Sequence, residues 1–173
     1  MIMSQLSERQ VKEMDIDWYC LVNGVPTHIA SMGGRIPVQF REREKLRLLQ
    51  DAVAFMEPFT EARLNIELIH SQTVEGYDYL QDETIREAVE NANGNHPGFQ
   101  YLRDYDIAVR LFASTFVEKA RRGFRSFAKR EGAEGNEYVL VAEPANPVEN
   151  IEGLPQLEAL ECEIRNEGST IIF

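Results

Sequence analysis

The chain has 173 residues, of which 43% are hydrophobic and 27% charged, as is ordinary for a globular protein. This usage excludes disordered, collagen-like and repeat proteins, and the length predicts one domain over residues 1–173. Asp and Glu outnumber Lys and Arg by 29 to 18, and the resulting charge of −11 disfavours a general binder of nucleic-acid phosphates.

The N-terminal segment lacks the features of a targeting sequence. Charged residues such as Glu8, Arg9 and Lys12 interrupt the apolar stretch that a signal peptide requires. No window contains about 18 uninterrupted apolar residues, so we expect no membrane span and a cytoplasmic location. Residues 1–15 are predicted to form a short helix or a frayed arm.

Two cysteines, Cys20 and Cys162, are too few for a disulfide framework. A single bridge between them is possible by number. In the reducing cytosol two buried thiols are the favoured prediction.

The first strong structural signal is a β-hairpin over residues 18–30, centred on Asn23-Gly24. A two-residue turn there pairs Tyr19 with His28 and Cys20 with Thr27. Because side chains alternate along a strand, Asp17, Tyr19 and His28 share one face and Cys20 lies on the other. This register argues against a Cys–His nucleophile pair, whereas a three-residue loop would bring those two residues opposite each other.

Three further elements are predicted between the hairpin and residue 92. Apolar residues at spacings of three and four predict a helix over residues 39–56, after a loop at residues 31–35. Strict alternation predicts a half-buried strand over residues 62–69. A second helix is predicted over residues 82–92, with Asp82 as its N-cap.

Residues 105–130 fit two patterns. Alternation favours a strand over 106–111, and a capping box at Thr115 and Glu118 favours a helix over 115–130. One continuous helix over residues 105–130 is the alternative, because the phenylalanines of this segment also fit a single helical face.

The C-terminal part predicts a buried strand over 138–142 and a proline-rich loop over 144–155. Residues 157–173 favour a second hairpin, although the leucine and isoleucine spacing also suits a helix. Helices mixed with hairpins predict an α+β fold: one compact domain with an antiparallel or mixed sheet, an N-terminal β-hairpin and two to three packed helices.

Familiar cofactor and catalytic motifs are absent from the sequence. It contains no glycine-rich nucleotide-binding motif, no G-x-S-x-G elbow, no H-E-x-x-H and no C-x-x-C pair. The three histidines are too scattered to suggest a metal site. We therefore expect no cofactor and no metal.

The hairpin and the loop after it form the first candidate site, for a small polar ligand or an enzymatic proton transfer. A carboxylate, a phenol and an imidazole can bind a polar ligand or move a proton. Backbone N–H groups of the loop can converge on an anion beside an arginine. The simpler interpretation is a polar sheet face followed by a Gly-Gly turn. The candidate residues are Asp17, Tyr19, His28, Ser31, Gly33, Gly34 and Arg35.

The second candidate is a basic helix over residues 119–130, with Arg122, Arg125 and Lys129 on its outer face. It suits an anion, an acidic partner or a local contact with nucleic acid. Basic residues in the last turns of a helix also stabilise its dipole, which is the simpler interpretation.

The third candidate is the acidic C-terminal stretch, which is suited to a basic protein partner or is simply a solvated face. The net charge and the missing catalytic motifs favour a non-enzymatic protein-binding module. A small enzyme or polar-ligand binder that uses the first site is the alternative, and whether the protein is an enzyme stays open. The glutamates of the stretch are Glu149, Glu152, Glu158, Glu161, Glu163 and Glu167.

Overall fold

A computed structural model describes residues 4–65, 115–130 and 136–173 of the chain. The predicted helix over 82–92, the predicted strand over 106–111 and residues 66–69 of the predicted strand over 62–69 lie outside these residues. Within them, the N-terminal segment forms a short helix, α1 (Glu8–Glu13), as one of the two predicted alternatives. Ser7 and Gln10 form a capping box that supplies partners for the free N–H groups at its start.

The predicted N-terminal hairpin is present, with the predicted register. It consists of β1 (Asp17–Val22) and β2 (Val25–Ala30). Tyr19 pairs with His28, and the two turn residues have φ of +49° and +75°, as a type I′ turn requires.

The predicted helix over 39–56 is shorter than expected at its start. A 3₁₀ turn occupies Val38–Phe40, and α2 spans Arg43–Phe55. Leu46 and Val53 are buried, so the predicted apolar stripe faces the core. Arg41, just before α2, is buried, where it donates to the carbonyl oxygen of Ile36 and pairs with Glu8.

The predicted helix over 115–130 is wrong beyond residue 121. Residues 115–121 are helical (α3), but Gly123 follows with φ of +97°, and β4 (Arg125–Lys129) is a strand. The phenylalanine spacing that suggests one helical face is therefore divided between a helix and a strand.

The remaining described strands are β3 (Ala62–Leu64), β5 (Glu137–Pro144), β6 (Glu163–Arg165) and β7 (Thr170–Ile172). The predicted C-terminal hairpin is present as β6 and β7, and the alternative helix there is not formed. Residues 145–155 contain no helix or strand, in agreement with the predicted loop, although Pro144 still belongs to β5. The hairpin is shorter than predicted, because residues 157–162 form only an isolated bridge at Ala159.

The seven described strands form one mixed sheet in the order β1-β2-β4-β5-β7-β6, with β3 pairing beside β7 along β5. Only the pairing of β2 with β4 is parallel among them. The α+β fold expected from the sequence is thus confirmed, and the parallel contact joins segments about a hundred residues apart.

Both faces of the sheet are covered by apolar side chains. On β5, Tyr138 and Leu140 belong to one buried cluster, whereas Val139 and Val141 belong to another beneath Phe116 of α3. No helix among the described residues has the length and hydrophobicity of a membrane span.

Candidate functional site

The hairpin brings Asp17, Tyr19 and His28 together, as the sequence predicts. Nε2 of His28 lies 2.7 Å from Oδ1 of Asp17, and the rings of Tyr19 and His28 are 5.3 Å apart. Cys20 faces the opposite side, paired with Thr27, and both Cys20 and Cys162 are free thiols. The geometry therefore agrees with the prediction that Cys20 and His28 do not form a nucleophile pair.

A fourth residue, Ser126 on β4, extends the hydrogen-bonded network of Asp17 and His28. The parallel register sets His28 directly beside Ser126, and Nδ1 of His28 lies 2.5 Å from Oγ of Ser126. His28 and Ser126 are fully buried, whereas the Asp17 side chain is 37% exposed. The hydrogen-bonded network thus extends from Ser126 in the interior to Asp17 at the surface.

The surroundings determine the protonation states of His28 and Asp17. Burial lowers the pKa of His28, and the hydrogen bond to Asp17 only partly opposes it. Burial alone raises the pKa of Asp17, but the His28 hydrogen bond and the Lys119 ammonium outweigh this, so the pKa lies below its usual value. At neutral pH a neutral His28 therefore donates from Nε2 to an anionic Asp17 and accepts at Nδ1 from the Ser126 hydroxyl.

The same three residue types form the catalytic triad of many hydrolases, but the order of contacts differs here. In a triad, serine bonds Nε2 and the carboxylate bonds Nδ1. Here Ser126 bonds Nδ1 and is buried, while Asp17 bonds Nε2 and faces solvent. The group available to a ligand is therefore the carboxylate and not the serine hydroxyl.

Asp17 lines a groove of about 540 Å³ between α2, β1 and α3. Gln50 of α2 donates from Nε2 to the Asp17 carbonyl oxygen at 2.8 Å, which fixes one wall. Lys119 of α3 places Nζ 5.9 Å from the centre of the Tyr19 ring. The charged side chains of the lining are Asp15, Asp17, Asp51, Arg43, Arg47 and Lys119.

Most of these charges already have protein partners. Asp15 accepts from the Met32 amide, Arg43 donates to Gln10, and Arg47 lies 3.7 Å from Asp51. Asp17 and Lys119 are the two remaining charges of the lining, and they are opposite in sign. These two side chains are the ones available to a ligand.

Tyr19 is buried, and its hydroxyl has no hydrogen-bond partner among the described residues. An unsatisfied buried hydroxyl costs about 1–3 kcal/mol. Burial raises the pKa of Tyr19 far above its usual range, so this phenol stays protonated. In this groove it is a hydrogen-bond donor and not a base.

Four backbone donors of the loop over residues 31–35 already have acceptors within the protein. The amides of Ser31, Met32, Gly33 and Gly34 each donate to a protein oxygen at 2.7–3.2 Å. A β-carbon on Gly33, at φ of +74°, would lie 2.8 Å from the Lys12 carbonyl oxygen. The glycine thus permits a close backbone approach, and the anion cradle considered from the sequence has no free amide in these four residues.

Ser31 and Arg35 also have structural surroundings. The Ser31 hydroxyl is fully buried and accepts from the Ile16 amide at 2.8 Å. Arg35 is exposed, and its carbonyl oxygen accepts from the Tyr138 hydroxyl at 3.3 Å. Neither residue lines the groove at Asp17.

The basic residues of the second candidate do not form one helical face, because the helix ends at residue 121. Arg122 donates to the carbonyl oxygens of Met56 and Glu118, and Arg125 donates to Glu143 and to the Gly168 carbonyl oxygen. Lys129 lies half-buried at the end of β4. The two guanidinium groups therefore serve to join segments of the fold.

Acidification should destabilise the protein through the buried pair. His28 and Asp17 have folded-state pKa values below the ordinary 6.5 and 3.8, so the unfolded chain binds more protons in acid. Their stabilisation is complete above those ordinary values and is lost as the pH falls through the folded-state values. We expect the free energy of unfolding, measured with urea, to decrease from pH 7 to pH 4.

The variant His28→Gln isolates the histidine contribution from that of the other histidines, His70 and His96, which lie outside the described residues. Its pH profile should be flatter than that of the wild type below pH 6.5. Parallel profiles for the two proteins would contradict a buried neutral His28.

Two residues of this site, Ser126 and Lys119, were not singled out by the sequence. Asp17, Tyr19 and His28 follow from one hairpin, whereas Ser126 is 98 positions from His28. Its only sequence signal is a lone hydroxyl between Arg125 and Phe127. That signal becomes meaningful once the segment is known to be a strand beside β2.

Comparisons with known proteins give no relative. No protein-family model matches the chain, and neither a curated protein nor a solved structure is significantly similar to it. Within the described residues, no three or more metal-ligating side chains converge.

Proposed function

We propose that the protein binds a small polar ligand in the groove at Asp17. The observation that carries this proposal is the Asp17 carboxylate, which His28 holds while Ser126 holds His28, and which is partly exposed in a groove of about 540 Å³. This volume lies within the range of about 300–1,000 Å³ usual for small-molecule sites. A carboxylate whose orientation is already fixed loses little freedom when it binds a ligand.

The properties of the side chains favour binding over proton transfer. An effective general base has a pKa near the working pH. The pKa of Asp17 is lowered and that of Tyr19 raised, so neither exchanges a proton readily near neutrality. We therefore assign Asp17 the role of acceptor.

The ligand chemistry follows from the free groups. Asp17 accepts hydrogen bonds from an ammonium or from hydroxyl groups, and Lys119 beside it attracts an acceptor or a negative group. A compound with both an ammonium and a carboxylate, or with several hydroxyls, satisfies both side chains.

The test uses amino acids and monosaccharides as probes in a thermal-shift screen, followed by calorimetry. We expect at least one probe to stabilise the wild type and to bind Asp17→Asn at least tenfold more weakly. Asp51→Asn is the matched control, because Asp51 lines the same groove but lies 3.7 Å from Arg47. Equal binding to wild type and Asp17→Asn, or no stabilisation by any probe, would contradict the proposal.

A basic protein partner is the second candidate function, and the exposed C-terminal glutamates favour it. Glu149, Glu152, Glu161 and Glu167 are exposed and have no ion-pair partner among the described residues. The other two members pair with Lys45 and Arg165. Exposed charges of one sign accelerate and orient the approach of an oppositely charged partner.

Poly-L-lysine is a suitable probe for this second candidate. We expect the triple variant Glu152→Gln, Glu161→Gln, Glu167→Gln to bind it several-fold more weakly than the wild type at low salt. The control carries Gln at Glu44, Glu57 and Glu61, which are also exposed and give the same net charge. If poly-L-lysine binding weakened equally in both triple variants, the effect would be one of general charge, which would contradict a binding surface at the C-terminal glutamates.

A further inference from the structure

A second cavity lies between α2 and the segment 155–158, and its inner part shares Tyr19 and Leu46 with the lining of the groove at Asp17. An inner pocket of about 40 Å³ and an outer cleft of about 280 Å³ share four lining residues. The inner pocket, which reaches Trp18 of β1, therefore adjoins the outer cleft. The shared residues are Lys45, Leu49, Gln156 and Glu158.

Trp18 lines the inner pocket and carries an unsatisfied donor. Its side chain is fully buried, and its Nε1–H has no acceptor among the described residues. An indole nitrogen only donates, so it can be satisfied only by an acceptor. Buried donors without partners are rare in folded proteins, and each one calls for an explanation.

The surface of the cavity is mainly apolar, although polar and charged side chains also line it. Phe40 lies 4.9 Å from Trp18 between ring centres, and Leu46 and Leu49 belong to the same inner lining. Leu48 and Pro155 line the outer cleft, where Leu48 is 47% exposed. Burying these surfaces against a ligand is favourable at about 25 cal/mol per Å².

Charge at the cavity disfavours an anion. Lys45 lies 3.5 Å from Glu42 and 3.4 Å from Glu158, so two carboxylates accompany one ammonium. A ligand carboxylate would meet net negative charge, and a ligand ammonium would compete with Lys45. A neutral ligand avoids both costs.

We propose that this cleft binds a small neutral ligand with an apolar body and one hydrogen-bond acceptor, such as a ketone or an ester, which accepts from Nε1 of Trp18. Its outer cleft shares no lining residue with the groove at Asp17, and Asp17 lines neither part of the cavity. A single water molecule could accept from the indole N–H, but it would not fill the outer cleft.

The only tryptophan of the chain gives a direct readout, because its indole N–H produces one cross-peak in a ¹H–¹⁵N spectrum. The probes are cyclohexanone and methylenecyclohexane, which share a shape but differ in the acceptor. We expect cyclohexanone to shift this peak downfield in a saturable manner and to bind several-fold more tightly. Equal affinity of the two probes, or no saturable shift, would overturn the proposal.

Three variants complete the test. Leu48→Glu should weaken cyclohexanone binding several-fold, because it puts a charge in the outer cleft. Val38→Glu is its control: Val38 is 57% exposed and lines neither cavity. Asp17→Asn should bind cyclohexanone like the wild type, so this site and the groove succeed or fail separately. Equal binding to the wild type and Leu48→Glu would overturn the assignment.

Discussion

His28→Ala is expected to lower the free energy of unfolding by about 3–5 kcal/mol, a large part of the stability of a typical domain. His28 is fully buried, and both ring nitrogens are hydrogen-bonded. Alanine leaves a cavity beneath Phe116, whose ring lies 6.1 Å from the imidazole, and removes the partner of the buried Ser126 hydroxyl. Urea denaturation followed by Trp18 fluorescence measures the loss.

Ser126→Ala is the matched control for the network. It removes one hydroxyl and leaves Nδ1 of His28 without a donor, so we expect a smaller loss of about 1–3 kcal/mol. A loss below 1 kcal/mol in the free energy of unfolding of His28→Ala would contradict the buried hydrogen-bonded network.

Because His28→Ala disturbs the fold, loss of ligand binding in that variant would say little about the site, and Asp17→Asn is the sharper functional test.

Phe127→Ala should lower the free energy of unfolding by about 3–5 kcal/mol as well. Phe127 is fully buried on β4, between β2 and β5, in the same apolar cluster as Trp18 and Ile29. Removing its ring opens a cavity at the centre of the sheet, where the neighbouring strands cannot close it without breaking backbone hydrogen bonds. The loss is again measured by urea denaturation.

Phe55→Ala is the control for this second variant. Phe55 is 87% exposed at the end of α2, so its truncation should change the free energy by less than about 0.5 kcal/mol. If Phe127→Ala cost as little as Phe55→Ala, the position of β4 inside the sheet would be wrong.

Local sequence signals predicted the elements whose geometry is set by near neighbours. Asn23-Gly24 requires positive φ at two successive residues, and this requirement fixes the register of the hairpin. The meeting of Asp17, Tyr19 and His28 follows from that register alone. In α2, the spacing of Leu46 and Val53 indicates the buried face in the same way.

The local pattern failed where phenylalanines at helical spacing belong to two different elements. The spacing of Phe116, Phe124 and Phe127 fits one helical face, but the turn at Gly123 divides it between α3 and β4. All three residues are buried, so apolar character predicted their burial but not their secondary structure.

The sequence by itself thus determined the fold class, the hairpin and three members of the candidate site. Only the tertiary structure decided that Ser126 lies beside His28, that Lys119 lies over Tyr19 and that the amides of the loop over 31–35 are occupied. The reason is that a hairpin register depends on bonds within a few residues. A parallel strand pair across 98 positions instead depends on how the whole sheet buries its two faces.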